Sequence, residues 1–437
     1  MTNCTEKTYQ FPAIKKRKVV ANFKGGSVTS DAGGLLLREA DRQINLLEPI
    51  AKLFPDNRDQ SKIDHSVLTM LRQRVFGIAN GYEDLNDHDV LRNDITFQTI
   101  VDSTSELASS PTLCRLENSI SRKTAVEIAK QFVEVFIASY KVPPKKLVLD
   151  FDATDDLVHG NQVGRFYHGY YKNYCFLPLY VFCEKKLLVA YLRSSNKDGA
   201  QHAWAILSLL VKRLRQVWPH VKIIFRGDGG FCRHKMLTWC DKNDVGYIVG
   251  IAQNSRLNTI LNPLMQKAEK SFEETKIKQR LFTEFSYAAG TWSRERKIVG
   301  KAEYTEHGAN PRFIVTNLSG DPQELYDRMY CARGNMENRI KEQQLDLYAD
   351  RTSGHTWWPN QFRLLLSALA YILIEHIRSI ALVGTVLANA QVNTIRLKLF
   401  KIGAVVIRNT RRVQFFMSSY YPLKNLFTQV YAKLVPT

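Results

Sequence analysis

The chain has 437 residues, a length typical of two to four domains. Hydrophobic residues make up 45% and charged residues 24%, which excludes a mainly disordered or collagen-like chain. The chain has 61 Lys and Arg residues against 42 Asp and Glu residues, a net charge of +19. An excess of that size favours a polyanionic partner such as nucleic acid, with a solvated basic surface as the alternative.

Much of the basic excess lies at the two ends of the sequence. Residues 1–24 carry six basic side chains and one acidic side chain, whereas residues 391–437 carry eight basic side chains and no acidic one. The second group includes Arg408, Arg411 and Arg412. This distribution predicts DNA binding at the ends and chemistry in the nearly balanced middle.

Cysteine content and hydropathy indicate the compartment. Seven cysteines without a C-x-x-C pair predict neither a zinc site nor a disulfide framework, as is typical of a reducing compartment. The N-terminus shows no apolar signal core, and the most apolar stretch, 364–388, is interrupted by Glu375, His376 and Arg378. We therefore expect a soluble cytoplasmic protein without a membrane helix.

The first third of the chain reads as helical. Apolar residues recur at three- and four-residue spacing over Leu35–Ile44, Val67–Ala79 and Ala125–Tyr140. Pro143 and Pro144 then mark a boundary, after which the pattern changes.

From Lys146 onward, strands and helices alternate. The pattern predicts the order β-β-β-α-β-α-β, with the elements at 147–152, 176–183, 187–192, 200–217, 221–225, 232–243 and 246–251. Two right-handed β-α-β crossovers place the last two strands parallel to the first. This order is similar to an α/β core of the ribonuclease-H-like type.

The remaining segments complete the predicted organisation. Residues 252–325 read as a charged, hairpin-like run, Tyr326–Asp346 has helical spacing, and the chain past Asn360 reads as long helix with a basic tail. We predict a basic arm, a helical DNA-binding region, a first core part, a strand-rich insert, a closing helix of the core, and a helical basic C-terminal region, at 1–24, 25–143, 144–252, 253–325, 326–359 and 360–437.

Three acidic residues stand at positions where this fold order brings chain segments together. Asp152 ends the first strand in D-F-D-A-T, Asp228 follows the fourth strand in R-G-D-G-G-F, and Glu337 lies on the late helix. Ligands of open α/β sheets bind at the carboxyl ends of the strands. A single aspartate at a strand end is more often a cap or turn residue, but three acids at these places predict a common site.

Converging carboxylates repel one another unless cations lie between them. Mg²⁺ and Mn²⁺ prefer all-oxygen ligands, and two such ions about 4 Å apart stabilise both the attacking and the leaving oxygen of a phosphoryl transfer. The three acids therefore predict a metal-dependent phosphoryl-transfer site. Asp150 lies on the same strand face as Asp152 and competes with it as the first ligand.

The late helix carries further polar residues at helical spacing. Tyr330, Arg333, Glu337 and Lys341 are three or four residues apart, which places them on one face. The functional interpretation is a metal-ligand glutamate flanked by groups that hold DNA phosphates, and the alternative is a salt-bridged surface stripe.

These motifs carry a resemblance. Y-x-x-R-x-x-x-E, D-x-T and R-G-D-G-G-F together resemble the DDE transposases of the insertion-sequence 4 superfamily. The strings at 29–39, 72–89, 107–118, 334–342 and 360–366, among them T-S-D-A-G-G-L-L-L-R-E and G-N-M-E-N-R-I-K-E, more closely resemble the insertion-sequence 1380 family. The resemblance covers about residues 20–410.

The resemblance implies a bacterial, nucleoid-associated transposase. It implies that the protein binds the terminal inverted repeats of a mobile element and target DNA, forms a homodimer in the DNA complex, and uses Mg²⁺ or Mn²⁺ for cleavage and strand transfer. The D-x-T match favours Asp152 over Asp150. Trp292, by analogy with related transposases, could stack on an unpaired base, although a core position is the more common role for such a residue.

One position departs from the pattern. The superfamily has a lysine seven residues after the glutamate, where this chain has Gln344, with Lys341 one turn earlier as a possible substitute. The functional hypothesis is a transposase. Two alternatives stay open: a hydrolytic nuclease on the same core, and a catalytically degenerate copy that only binds DNA.

Overall fold

The computed structural model describes residues 7–56 and 58–435. The first six residues of the predicted basic arm, including Cys4, lie outside this range. The fifteen helices in these residues are α1 Leu35–Ile44, α2 Leu47–Ala51, α3 Val67–Asn80, α4 His88–Leu91, α5 Ile95–Ile100, α6 Ser110–Asn118, α7 Arg122–Ala138, α8 Ala203–Val217, α9 His234–Lys242, α10 Ser255–Thr275, α11 Pro322–Glu324, α12 Gly334–Lys341, α13 Trp357–Ile380, α14 Val392–Ile395 and α15 Lys424–Leu434.

The same residues contain seventeen strands. They are β1 Tyr9–Ile14, β2 Arg17–Ala21, β3 Val28–Thr29, β4 Lys146–Ala153, β5 Asp156–Leu157, β6 Phe166–His168, β7 Asn173–Phe176, β8 Leu179–Cys183, β9 Lys186–Tyr191, β10 Lys222–Gly227, β11 Gly246–Ile251, β12 Gln279–Tyr287, β13 Arg296–Thr305, β14 Gly308–Ala309, β15 Arg312–Thr316, β16 Ala404–Arg408 and β17 Val413–Met417. This content confirms the mixed α/β class.

The chain forms two compact units. One contains the residues up to Leu116 together with those from Leu373 onward, and the other contains Glu117–Ile372. No helix in residues 7–56 and 58–435 is both long enough and apolar enough to span a membrane.

In the first unit, local sequence sets the helix ends. The Ser66 hydroxyl accepts a hydrogen bond from the Thr69 backbone N–H at 3.1 Å and begins α3, and Gly81, at φ 93°, ends it. The strands β1 and β2 pair with each other as a sheet of their own, while β3, β16 and β17 form a second small sheet.

Two residues of the T-S-D-A-G-G string, Asp31 and Gly33, contact other segments of the first unit. The Asp31 carboxylate accepts hydrogen bonds from the Tyr82 hydroxyl at 2.7 Å and the Lys401 ammonium at 2.6 Å. Gly33 lies against backbone: an added Cβ would stand 2.0 Å from the Leu399 carbonyl oxygen. The string therefore joins the N-terminal and C-terminal segments of this unit.

The second unit is built on a nine-stranded sheet. Its main path runs β12-β13-β15-β11-β10-β4-β8-β9, with β14 pairing with β13 at one side. Strands β4, β10 and β11 are parallel, β8 runs antiparallel to β4, and β9 runs antiparallel to β8. The five predicted strands are thus present, and the chain from 279 to 316 extends the same sheet beyond β11.

The two faces of β4 have different surroundings. Leu147, Leu149 and Phe151 belong to the main hydrophobic core, where the Phe151 and Phe225 rings stand edge to face at 5.1 Å. Val148 lies on the opposite face and packs with residues of the 325–330 turn. Because side chains alternate along a strand, Asp150 and Asp152 share that second face.

Three sequence predictions need correction. Residues 255–275, predicted as part of a strand-rich hairpin-like run, form α10, because Leu257, Leu261 and Ala268 at helical spacing pack into the core. The segment 326–346 is helical but not one regular helix, since it contains wide π turns at Leu325–Tyr330 and Glu342–Asp346 and a 3₁₀ turn at Cys331–Arg333.

The third correction concerns the C-terminal region, which was predicted to be helical. Its β-branched and aromatic alternation forms the β16–β17 hairpin, which pairs through Ala404 and Val405 with β3. The predicted boundaries at 24, 143, 252, 325 and 359 remain predictions.

The close approach at Gly33 gives a stability prediction. In Gly33→Ala the methyl group meets backbone atoms of Leu399 and Phe400, at 2.0 and 2.6 Å, so the two segments must separate. We expect a loss of about 1–3 kcal/mol and a melting temperature lower by about 3–10 °C in a thermal unfolding scan. Gly403→Ala is the matched control, since its added Cβ meets nothing within 4 Å. Equal melting temperatures for the two variants would contradict this account.

Candidate active site

Strand β4 carries the first predicted carboxylates. Its register against β10 sets Asp150 directly opposite Arg226 and Phe151 opposite Gly227. The Arg226 guanidinium donates to both Asp150 oxygens, at 2.7 Å from Nη2 to Oδ2, and also to the Met329 carbonyl. Both side chains are buried. Asp150 is therefore committed to a bidentate ion pair, which leaves Asp152 as the carboxylate that faces the other acids.

Asp228 lies in the turn that follows β10. Its Oδ1 accepts a hydrogen bond from the Gly230 backbone N–H at 2.8 Å and begins a short 3₁₀ turn. The neighbouring strand approaches closely: a Cβ on Gly250 would stand 2.6 Å from the Tyr330 hydroxyl and 2.9 Å from the Gly229 nitrogen. Glycine at position 250 thus lets the Tyr330 hydroxyl reach the Asp228 turn.

The late helical segment brings the remaining predicted residues. The Arg333 Nη1 lies 3.1 Å from the Glu337 Oε1 and 3.9 Å from the Asp152 Oδ2. The Arg333 guanidinium also lies 5.9 Å from the centre of the Tyr330 ring. The structure therefore brings together Asp152, Asp228, Tyr330, Arg333 and Glu337, which come from three separate parts of the chain.

The electrostatics of the site reflect this convergence. Burial, together with the negative charges of Asp228 and Glu337, raises the pKa of Asp152 to about 7 against the lowering effect of Arg333. Without additional positive charge, the Asp152 carboxyl group is therefore protonated in a large fraction of the protein molecules at neutral pH. A bound cation would reduce the repulsion among these carboxylates and allow all of them to ionise.

The three acids offer oxygen donors to a divalent metal. All three acids offer carboxylate oxygens, the ligand type that Mg²⁺ and Mn²⁺ prefer. Yet no group of three or more His, Cys, Asp or Glu side chains among residues 7–56 and 58–435 is arranged to hold a metal ion. In this structure the positive charge between Asp152 and Glu337 is the Arg333 guanidinium. The donor chemistry fits a hard cation, provided that Glu337 exchanges its ion pair with Arg333 for the metal.

Gln344, the departure from the superfamily pattern, has a structural role here. Its Nε2 donates to the Asp155 carbonyl oxygen at 2.8 Å, the Asp156 Oδ1 at 2.9 Å and the Thr154 Oγ1 at 3.4 Å. Asp156 is fully buried, and its second oxygen has no hydrogen-bond partner. Three acceptors around one nitrogen also suit a lysine ammonium, so a lysine at 344 would bind Asp156 rather than DNA phosphate.

The other predicted DNA contacts lie as follows. The Trp292 ring is partly buried against the core, 5.9 Å from the Tyr287 ring and 5.7 Å from the Arg296 guanidinium. Lys341 is exposed. In the other unit, Arg408 donates to the Gln98 Oε1 at 2.7 Å, while Arg411 and Arg412 are exposed in the turn of the β16–β17 hairpin. A DNA contact by any of these residues remains a prediction.

Sequence reasoning missed two features of this region. Arg226 stands two residues before Asp228 in R-G-D-G-G, and its role required the β4–β10 register. Tyr171 lies close enough to the site for the charges of Asp155 and Asp152, after burial, to raise its pKa. The cluster of four tyrosines within residues 167–174 was the available signal for this second feature.

The chain belongs to the family described as Transposase DDE domain group 1, whose profile matches residues 11–437. The expectation of a DDE transposase is thereby confirmed at the level of the family, and the protein is an enzyme of DNA transposition. Such DDE transposases generally use divalent metal ions. No curated protein sequence matches the chain.

Among solved structures, the chain is similar to the piggyBac transposase in a cryo-EM structure of its synaptic complex with hairpin DNA. The identity is 11% and the TM-score 0.42, and the match covers 85% of this chain and 80% of that chain.

The buried Asp156 gives a pH prediction. Burial raises the pKa of Asp156 well above its ordinary range, so the folded chain holds this proton to higher pH than the unfolded chain does. Folding therefore loses stability as pH rises above about 4, the pKa of an unfolded aspartate. Asp156→Asn, which resembles the protonated acid, should lack this loss and become more stable than the wild type as pH increases.

The measurement is urea unfolding of both proteins between pH 4.5 and 8.5. Asp244→Asn serves as the control, because Asp244 is exposed and its left-handed backbone, at φ 51°, tolerates asparagine. A stability difference between Asp156→Asn and the wild type that does not change with pH would show that the carboxyl is ionised in the folded chain.

Proposed function

We propose that the protein is the transposase of a bacterial insertion sequence, of the insertion-sequence 1380 family within the insertion-sequence 4 superfamily. Its core would be of the ribonuclease-H-like type, with Asp152, Asp228 and Glu337 as the catalytic acids. The observation that carries this proposal is the convergence of these three carboxylates, with Arg333 among them, in a chain that belongs to a DDE transposase family. The long motif strings at 29–39, 72–89 and 334–342 support the finer family assignment.

In this proposal the three acids hold Mg²⁺ or Mn²⁺. When bound, such cations activate the attacking oxygen and stabilise the leaving oxygen of an in-line phosphoryl transfer. Cation binding favours the ionised form of Asp152, since positive charge opposes the burial and the repulsion that raise its pKa. Asp228 is held in position by its bond to the Gly230 backbone.

Arg333 and Tyr330 orient the DNA strand beside the acids. Arg333 presents a planar fork of N–H donors, which matches the geometry of a phosphate group. The Tyr330 ring supports the guanidinium from one side, and its hydroxyl lies at the Asp228 turn. Once Glu337 turns to a cation, the donors that it now occupies become available to a DNA phosphate.

The basic ends serve binding in this proposal. Lys15, Lys16, Arg17 and Lys18 stand at and beside the turn of the β1–β2 hairpin, and Arg411 and Arg412 at that of the β16–β17 hairpin. Both sets are exposed and suited to the phosphates of the inverted repeats or of target DNA. Paired cleavage of two element ends calls for a homodimer in the DNA complex, associated with the bacterial nucleoid.

The carboxylate assignment is tested by neutral substitutions. Asp152→Asn, Asp228→Asn and Glu337→Gln should each lower Mg²⁺-dependent cleavage of a terminal-repeat duplex by roughly 10²–10³-fold or more. Binding to that duplex should stay within about twofold, because these acids hold metal rather than DNA. A second readout, joining of the cut 3′ end to a target plasmid, distinguishes a transposase from a hydrolytic nuclease.

Asp150→Asn is the matched control. It removes the negative charge that pairs with the buried Arg226, so the variant should unfold at lower urea concentration but cleave at a normal rate per folded molecule. An inactive Asp150→Asn beside an active Asp152→Asn would reverse the assignment of the first ligand. Binding without cleavage by the wild type would identify a degenerate copy.

A conservative change tests Arg333. Arg333→Lys keeps the charge but loses the planar fork, so we expect an unchanged melting temperature and the loss of most strand transfer. Arg328→Lys is the matched control, because Arg328 forms an exposed i,i+4 ion pair with Glu324 at 3.2 Å, in a geometry like that of Arg333 with Glu337. Exposed pairs of this kind contribute at most about 1 kcal/mol and tolerate lysine. Full activity of Arg333→Lys would reduce the site to its three carboxylates.

A further inference from the structure

A wide turn leads from the far end of the large sheet to the candidate site. This π turn is Leu325–Tyr330, and Arg333 follows it by three residues. The Leu325 and Tyr326 side chains are buried in one hydrophobic cluster with Val299 of β13. Wide turns of this kind are rare and often occur at functional sites. The contacts that hold this turn therefore bear on the position of Arg333.

Two strands beyond β11 present charged side chains to the turn. In the antiparallel pairing of β12 with β13, Arg280 stands opposite Glu303 and Phe282 opposite Lys301. Phe282 and Val299 pack in the cluster that contains the turn. Since side chains alternate along a strand, Arg280, Lys301 and Glu303 lie on that same face of the sheet.

These side chains contact two residues of the turn. The Arg280 guanidinium donates to both carboxylate oxygens of Asp327, at 3.3 Å from Nη1 to Oδ2. The Lys301 ammonium lies 5.3 Å from the centre of the Tyr326 ring, and the Phe282 ring lies 5.7 Å from it. Because a bidentate ion pair restricts direction as well as distance, these contacts hold both the position and the orientation of the turn.

A buried carboxylate anchors the two cations in the sheet. The Glu303 Oε1 lies 3.0 Å from the Lys301 Nζ, and its Oε2 lies 3.4 Å from the Arg280 Nε. Burial opposes ionisation of Glu303, but hydrogen bonds from Lys278, Lys301 and Asn310 outweigh it and lower the pKa of Glu303 to about 2. Arg280 and Lys301 are therefore fixed to the strands by an ionised group.

A continuous series of contacts leads from the turn to the acids. The Tyr326 ring lies 5.6 Å from the Tyr330 ring, and the Tyr330 ring lies 5.9 Å from the Arg333 guanidinium. Arg333 in turn lies 3.1 Å from Glu337 and 3.9 Å from Asp152. Each step joins neighbouring side chains of the second unit. A displacement of the turn would therefore displace the Arg333 guanidinium.

We propose that Arg280, supported by Lys301, is a positioning residue for strand transfer, which holds the wide turn so that Arg333 faces the catalytic acids. Arg333 can bind a phosphate productively only from one place, and a misplacement of about 1 Å caused by a distant change can lower a rate by about 100-fold. This inference rests on the proposed function and gives the strands beyond β11 a part in its reaction.

The test removes the carboxylate that joins the turn to Arg280. In Asp327→Ala, assayed below its melting transition, kcat for strand transfer of a terminal-repeat substrate should fall about 10-fold while KM stays within about twofold, because DNA is bound but Arg333 is misplaced. The melting temperature should stay within about 3 °C, since the ion pair is partly exposed. Arg280→Gln should show a similar loss, whereas Asp327→Glu keeps a carboxylate for Arg280 and should retain most of the rate.

Glu284→Ala is the matched control, because Glu284 forms an ion pair with Lys297 at 3.3 Å between the same two strands. It should transfer strands at the wild-type rate. The double variant of Asp327→Ala with Arg333→Lys separates positioning from a general loss of structure. It should be no slower than Arg333→Lys alone, since Asp327 acts through Arg333.

A wild-type rate of Asp327→Ala overturns the inference, as does an equal loss in Glu284→Ala. A double variant whose loss is the product of the two single losses also overturns it, because Asp327 would then act independently of Arg333. Wild-type protein that neither cuts nor joins terminal-repeat DNA contradicts the proposed function and the inference with it. Normal joining by the wild type and by Asp327→Ala alike contradicts the inference alone.

Discussion

The parallel pairing of β4 with β10 is the constraint on which the site depends. The register sets Asp150 opposite Arg226, so both strands end at the same edge of the sheet. Asp152 and Asp228 therefore both lie at that edge. A slip of one residue would turn Asp150 and Asp152 toward the hydrophobic core that now receives Leu149 and Phe151. The buried ion pair opposes such a slip, because an unpaired charge in that position is strongly destabilising. Arg226 therefore stabilises the strand register on which the positions of Asp152 and Asp228 depend.

Two arginines at this edge of the sheet form ion pairs that differ in burial. Arg226 is buried and bonded to both oxygens of Asp150, which makes that carboxylate a structural group. Arg333 is partly exposed and bonded at 3.1 Å to Glu337, which is itself half exposed. The first pair is held inside the fold, whereas the proposed function requires the second, more exposed pair to open. The two ion pairs thus differ in burial: one is part of the fold, and the other is accessible from the surface.

How much could be predicted from the sequence depended on whether the information was local. Helix α1 and strand β11 were predicted at their observed bounds, because periodicity and flanking residues define them. Helix α10 was missed, since its charged residues and Pro263 obscured the apolar stripe of Leu257, Leu261 and Ala268. The commitment of Asp150 to Arg226 and of Gln344 to Asp156 depends on the register and on contacts between distant segments. No local sequence pattern specifies these contacts. The wide turns around Tyr330 could not be predicted for the same reason.

Gln344 joins the helical segment of Glu337 to the chain that follows Asp152 by hydrogen bonds. The helical segment that carries Glu337 continues to Gln344, whose amide donates to the Asp155 carbonyl oxygen and to the Asp156 carboxyl group, just after Asp152 in the chain. Glu337 and Asp152 are therefore linked through one short path of backbone and hydrogen bonds. Since Asp156 is fully buried with one oxygen unsatisfied, this link is sensitive to the charge on its carboxyl group. The neutral glutamine suits a protonated Asp156, whereas a lysine would suit an ionised one, and burial raises the pKa of Asp156 in the direction that favours the protonated form.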